Sequence, residues 1–313
     1  MAGQPQMLVL RALKLGDLLV AVPALHALGR AFPEHRLRLA APAWLAPIVE
    51  LIGGVELLDM VGLEVPVPLE PGIVDVAVNL HGAGPQSHER LDALAPRRRI
   101  GYLCRAAGSS WDGPAWVEQM HERERWTSLL GWYGIEANPL EVDLDVPASL
   151  VVPGAVVVHP GAGSASRLWP VGHFGQVAGA LARAGHRVVI TGDAAERPRA
   201  LEVARLAGLP PGEVLAGRLD LSALAGLVAG SLLVVSADTG VAHLASAYRR
   251  PSVVLFGPAP ASRWGPPPGP HRVLTDESQR RGEVDSPEPD PALVAVRPSQ
   301  VLAAVAELGI GVL

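Results

Sequence analysis

Three features of the sequence predict an α/β protein of two successive parallel-sheet units. The chain is 49% hydrophobic and rich in Ala, Gly, Leu and Val, a composition that suits strands buried between helices on both faces of a sheet. Short apolar runs alternate with helix-period segments. That alternation stops once, over the extended, proline-punctuated stretch 140–153, and then starts again. The pause reads as an interdomain linker dividing the chain into 1–150 and 151–313, each long enough to bury its own core.

In the first half, residues 7–12 read as a strand, Lys14-Leu15-Gly16-Asp17 as a turn, and 18–31 as a helix whose apolar face includes Leu18, Val22, Leu25 and Leu28. Asp17 stands at the carboxyl end of the strand, where open α/β sheets bind ligands. Its plainer role is as the helix N-cap. Residues 37–41 form the next strand, 44–51 a helix, and 74–80 a strand ending in Asn79-Leu80-His81-Gly82. Asn79 and His81 therefore sit at a strand end on the same side as Asp17, while Arg97-Arg98-Arg99 reads as a solvated turn. Residues 111–132 read as a helical patch holding four of the seven tryptophans. Helix packing accounts for most of them, and a sugar-stacking surface is the sharper alternative.

In the second half, residues 155–159 give a strand followed by Pro160-Gly161-Ala162-Gly163-Ser164-Ala165-Ser166-Arg167-Leu168-Trp169-Pro170. Gly161-Ala162-Gly163 opens like a dinucleotide fingerprint, but Ser166 replaces the third glycine and Trp169-Pro170 interrupts the required helix. A nicotinamide oxidoreductase is disfavoured. Ser164, Ser166 and Arg167 after a glycine-rich turn still suit a phosphate, held by amides, hydroxyls and a guanidinium. Residues 174–184 read as a helix and 187–191 as a strand. Glu196, in the loop that follows, suits either a ribose or the first turn of a helix.

The centre of this half is the corner at Asp238-Thr239-Gly240. A helix at 222–229 leads to a buried strand at 232–235, the corner breaks it, and a helix containing His243 begins. Such a corner offers free backbone N–H groups, the Thr239 hydroxyl and the positive end of a helix to a phosphate or diphosphate. His243 lies about one helical turn after Thr239 and can face the same space. The plainer reading is an ordinary N-cap with a packed histidine. Residues 252–256 give a further strand, the acidic stretch up to Asp290 reads as mobile, and 299–308 is a closing amphipathic helix with Val301, Leu302, Val305 and Leu308 on its apolar side.

Composition narrows the function classes. Net charge is −5, and most of it lies in residues 276–290, so a nucleic-acid footprint is not expected. The single Cys104 excludes an intrachain disulfide framework and a cysteine-based zinc site. No Asp or His cluster has metal-ligand spacing. Met1 to Gln6 does not read as a signal peptide and no run has the length of a membrane span, so the expected location is the cytoplasm. Lys14 is the only lysine among 26 basic residues, so arginine at a position where lysine is usual carries little weight.

Taken together, four stretches resemble glycosyltransferase family 9, the ADP-heptose:lipopolysaccharide heptosyltransferases. They are Arg11 to Leu25 with Gly16-Asp17, then Arg99-Ile100-Gly101-Tyr102 with His121-Glu122, then His159-Pro160-Gly161 through Trp169-Pro170, and Ser236-Ala237-Asp238-Thr239-Gly240 with His243. The resemblance implies a GT-B architecture, two Rossmann-like domains facing across a cleft. The first would bind the acceptor and the second the nucleotide sugar, with the last helix packing back toward the first. By similarity Asp17 is the general base of an inverting, metal-independent transfer, and Arg167 neutralises the diphosphate leaving group. Gly161, Ser164, Glu196, Asp238, Thr239, Gly240 and His243 would hold the donor. Lys14, Gly16, Asn79 and His81 would line the acceptor side. The implied co-substrate is ADP-heptose, with no other cofactor.

His81 and a glycine-rich turn stand where heptosyltransferases commonly place arginine, so the acceptor is left open among another glycan, a lipid-linked intermediate and a small molecule. A lipid-linked acceptor implies peripheral membrane contact, although no helix carries a Lys/Arg-rich polar face. Two other classes fit the same fold, a nucleotide-sugar epimerase and a noncatalytic nucleotide-sugar-binding protein.

Overall fold

The computed structural model describes residues 4–108 and 111–312, so the reading of Met1 to Gln6 falls partly outside the described residues. The chain divides into two compact units, Met1–Asp145 and Val146–Leu313. The first unit runs β1 (Gln6–Leu10), α1 (Leu15–Leu19), α2 (Val22–Ala31), β2 (Arg36–Ala41), α3 (Ala46–Ile52), β3 (Glu56–Asp59), β4 (Val74–Asn79), α4 (Pro85–Asp92), β5 (Arg98–Ile100) and α5 (Glu122–Trp132). Its strands pair in parallel in the order β3-β2-β1-β4-β5. Successive strands step outward from β1 through β2 to β3, and the chain then returns to the other side of β1 with β4. The carboxyl ends of β1 and β4 therefore flank a topological switch point, where open α/β sheets leave a crevice.

The second unit runs β6 (Val156–His159), α6 (Val171–Arg183), β7 (Val188–Ile190), α7 (Arg197–Ala207), α8 (Leu221–Gly230), β8 (Leu233–Ala237), α9 (Gly240–Ala247), β9 (Ser252–Leu255), α10 (Ala261–Trp264), β10 (His271–Leu274), α11 (Pro291–Val294) and α12 (Pro298–Glu307). Its parallel order is β10-β9-β8-β6-β7, which places the switch point between β6 and β8. The near-continuous apolar strands Val156–His159 and Leu233–Ala237 are buried throughout, as a sheet covered on both faces requires. Val156, Val158, Trp169, Phe174, Val235, Leu255, Leu293 and Val305 share one core. Each fully buried aliphatic side chain there contributes about 1.5–3 kcal/mol. The closing helix α12 rests on α6, β9 and β10 of its own unit.

Several expected elements differ. The helix expected over 18–31 is two helices, and the expected 14–17 turn forms most of the first turn of α1. Asp17 is not its N-cap: Lys14 occupies that position and Asp17 lies three residues on, its carboxylate folding back to accept from the Lys14 N–H at 3.3 Å. The tryptophan patch is helical only from Glu122: Trp111 is buried at 1% exposure ahead of the helix, and Trp126 is buried at 2% within it. Arg98–Ile100 is an edge strand rather than a turn. The acidic stretch is anchored rather than mobile, since Asp290 is 3% exposed and its carboxylate accepts from three backbone amides.

Candidate active site

At the switch point of the first unit the decisive group is a buried cation. Arg11, one residue past β1, is 1% exposed. Its guanidinium donates to the carbonyls of Asp17 and Leu80, lies 3.9 Å from the Asp17 carboxylate and stacks 4.7 Å from the Trp126 ring centroid. Burial draws Arg11 below its ordinary value, opposed by Asp17 and Glu122. An arginine still stays charged, so it holds the loops after β1 and β4 together and fixes an anion at Asp17. The Asp17 side chain is 28% exposed, enough to meet a ligand.

The other residues expected here divide. Lys14 is exposed beside Asp17, and Gly16 is in the same helical turn. His81 follows β4, and burial and Arg11 push its imidazole down to about 4 against the pull of Asp17. It is therefore neutral at pH 7. Asn79 is fully buried: its Oδ1 accepts from the His81 N–H at 3.0 Å, and its Nδ2 meets Ser87 Oγ at 2.9 Å and His88 Nδ1 at 3.1 Å. Its amide shapes the loop that carries His81 rather than projecting beyond it.

In the second unit the buried charge is an anion. Asp238, immediately after β8, is 5% exposed, with Arg167 Nη1 at 3.6 Å and His243 Nε2 at 3.9 Å. The Arg167 side chain is 31% exposed. Thr239 is the N-cap of α9 but makes no side-chain capping bond, and its Oγ1 is buried without a partner among the described residues, as is Ser236 Oγ. Such orphaned polar atoms are uncommon away from functional sites. Gly240 opens α9, whose first N–H groups have no partner within the helix.

The turn after β6 completes this corner. Ser166 Oγ donates to Val284 O at 2.5 Å, so the 2.8 Å bond between the two serine hydroxyls takes its proton from Ser164. Glu196 approaches Gly161 so closely that a Cβ on residue 161 would occupy the carboxyl group's place. The Glu196 carboxylate accepts from Asp193 N at 2.9 Å and from Ala162 N, yet burial still raises it above the usual carboxylate range. Two amides leave a carboxylate with further lone pairs free. His159, at the end of β6, meets Thr191 Oγ1 at 3.1 Å, and burial pushes it down to about 4.

Sequence reasoning missed the supports beneath these groups. Arg11 lay inside a quoted motif without a role, although an arginine directly after an apolar strand was a usable signal. Glu122 and Arg125 form a buried pair at 3.1 Å, Arg125 stacks 3.8 Å from the Trp116 centroid, and Tyr102 Oη donates to Arg125 O at 2.7 Å. Trp111 and Trp126 are thus core rings, not a sugar-stacking surface. Among the described residues no group of three or more His, Cys, Asp or Glu side chains could hold a metal ion. No helix among them is long and apolar enough to cross a membrane.

The sequence profile of glycosyltransferase family 9 (heptosyltransferase) matches residues 141–286. Lipopolysaccharide heptosyltransferase 2 of Escherichia coli K12 is 23% identical over 288 residues, covering 78% of this chain and 80% of that protein. Lipopolysaccharide heptosyltransferase 1 of Pseudomonas aeruginosa is 37% identical over 130 residues, 41% of this chain and 34% of the relative. The solved structure of E. coli ADP-heptose lps heptosyltransferase II superposes with a TM-score of 0.77 at 22% identity, over 97% of this chain and 98% of that one. That likeness is one of fold, the paired Rossmann-like units of GT-B enzymes. With the profile lying over the corner built by Gly161, Arg167 and Asp238, and heptosyltransferases among the sequence relatives, the second unit carries the glycosyltransferase family 9 profile and the chain is a heptosyltransferase-type glycosyltransferase.

Proposed function

We propose that this enzyme is an inverting, metal-independent transferase that moves heptose from ADP-heptose to a glycan or lipid-linked acceptor. The first unit takes the acceptor and the second the donor. One observation carries the reading: Asp17 and Arg167 are 28% and 31% exposed at the two switch points, each beside a buried partner of opposite charge. Asp17 removes the proton from an acceptor hydroxyl, whose oxygen attacks the anomeric carbon. The bond from that carbon to the diphosphate oxygen breaks on the opposite face, which inverts the centre. Arg167, the Thr239 hydroxyl and the N–H groups at Gly240 receive the departing negative charge, commonly the largest catalytic contribution.

Around this axis the remaining residues bind. Glu196 keeps lone pairs for ribose hydroxyls, and Gly161 admits it. Ser164 donates to a phosphate oxygen on leaving Ser166, and Asp238 with His243 steadies Arg167. On the acceptor side Lys14 and Gly16 border the base, and neutral His81, on the loop that Asn79 shapes, offers a hydrogen bond rather than a charge. ADP-heptose is favoured as donor because a solved relative is titled an ADP-heptose heptosyltransferase. A lipid-linked acceptor would bring the protein to a membrane surface.

Calorimetric titration with ADP, UDP, GDP and ADP-heptose tests the donor. Selective ADP and ADP-heptose binding, weakened in Asp238→Ala, supports it, whereas a preference for UDP or GDP overturns it. Transfer unaffected by EDTA and an inverted anomeric configuration in the product's NMR spectrum test the mechanism. Turnover of the donor sugar without any acceptor would favour an epimerase instead.

A further inference from the structure

The stretch from Arg280 to Asp290 is anchored to both sides of the donor corner. Arg280 Nε donates to Gly257 O at 2.9 Å, in the loop just beyond β9. At the other end Ser166 Oγ donates to Val284 O, and Asp290 N donates to Ser166 O at 2.9 Å, in the turn just beyond β6. The sheet order places β8 between β9 and β6. Asp290 also packs against Gly257, where an added Cβ would lie 3.4 Å from the Asp290 Cβ, so this residue touches both the loop after β9 and the Ser164–Arg167 turn. The strand between them, β8, carries Asp238, Thr239 and Gly240 at its carboxyl end.

Asp290 locks the strap. Its Oδ2 accepts from Arg281 N and Gly282 N, both at 3.2 Å, while Oδ1 accepts from Ala292 N at 3.0 Å. The carboxylate thus joins the start of the strap to the first turn of α11, and its own N–H reaches the phosphate-type turn. Ser166 is fully buried and directly precedes Arg167. Arg167 meets Asp238 only at 3.6 Å, and its Nε has no partner among the described residues. The guanidinium is thus only loosely tethered by its own side-chain bonds, and Ser166 is the residue directly before it. Charge-assisted bonds to backbone amides are strong enough to hold such a loop.

We infer that residues 280–290 form a strap across the donor corner, with Asp290 the positioning residue that sets the Ser164–Arg167 turn for a nucleoside diphosphate. This rests on the reading that the corner receives the donor diphosphate. Asp290 touches neither sugar nor phosphate and acts through Ser166 and Arg167.

The test is calorimetric titration of the full chain with ADP, UDP and GDP, repeated for Asp290→Asn and Arg280→Ala and paired with trypsin digestion with and without ADP. ADP affinity should fall roughly tenfold in Asp290→Asn, as displacement of a binding group by a fraction of an ångström does, and by less in Arg280→Ala. In the wild type ADP should slow cleavage after Arg280 and Arg281, and both variants should be cut faster. If Asp290→Asn does not fold, Arg280→Ala carries the test, since it removes the side-chain bonds to Gly257, Thr275 and Glu277 but leaves the Asp290 bonds in place. Wild-type ADP affinity in a variant whose thermal stability has dropped would make the strap merely structural and overturn the inference. Loss of ADP protection in the wild type would do the same. Failure of the wild type itself to bind any of the three nucleotides would instead overturn the donor reading, and the strap's role with it.

Discussion

The two switch-point corners are built with opposite signs. In the first a buried cation, Arg11, braces a partly exposed anion, Asp17; in the second a buried anion, Asp238, braces a partly exposed cation, Arg167. A charged group that must act on a ligand needs solvent access, and one that is freely mobile is poorly aimed. A buried counter-charge supplies the aim without blocking access. The outward sign then fits the proposed chemistry: an anion to take a proton, a cation to receive negative charge.

The comparison is broken most severely at Asp17. Asp17→Asn should lower single-turnover transfer by about 10³-fold, within the range for loss of a positioned base, while ADP binding measured by calorimetry stays unchanged. A near-normal rate would remove Asp17 from the chemistry. Next comes its brace. Arg11→Met leaves the Asp17 and Leu80 carbonyls without their donor and should cost about 1–3 kcal/mol for each in urea unfolding.

Arg167→Ala should weaken ADP binding and slow transfer about 10²-fold, the scale for one donor to a developing anion, and Arg167→Lys should recover part of it. Equal losses in both variants would show that fork geometry matters rather than charge. A last effect is on pH. His159 titrates near 4 in the folded protein against 6.5 ordinarily, so between those values only the unfolded chain takes up the proton. The associated stability is whole above about pH 6.5 and is lost as pH falls toward 4, by on the order of 3 kcal/mol. Thermal melts of His159→Gln across that window should show a shallower decline than the wild type.

What was legible in the sequence was whatever lies within one turn of chain. Asp238-Thr239-Gly240 reads as a strand-to-helix corner because the strand, cap and helix are contiguous, and Gly161 to Arg167 reads as a phosphate-type turn for the same reason. Parallel sheets were legible from the alternation of apolar runs. The supports were not, because they join distant residues. Arg11 reaches Leu80 across 69 positions, and Ser166 reaches Val284 across 118. The acidic stretch was misjudged on composition alone: its charge argues for solvent, but one carboxylate with three backbone donors orders it. Asp17 was misplaced by three residues in its helix because Asp is favoured both as an N-cap and in the first turn.

The lone lysine has a practical consequence. Lys14 is exposed at the start of α1, beside the Asp17 carboxylate, and the other basic side chains of the cation count are arginines. An amine-selective reagent therefore finds a single ε-amino group in the chain, and it stands at the corner proposed for the acceptor. A fluorophore or crosslinker attached there would report on that corner alone, and an acceptor that shields Lys14 would announce itself by slowing the labelling.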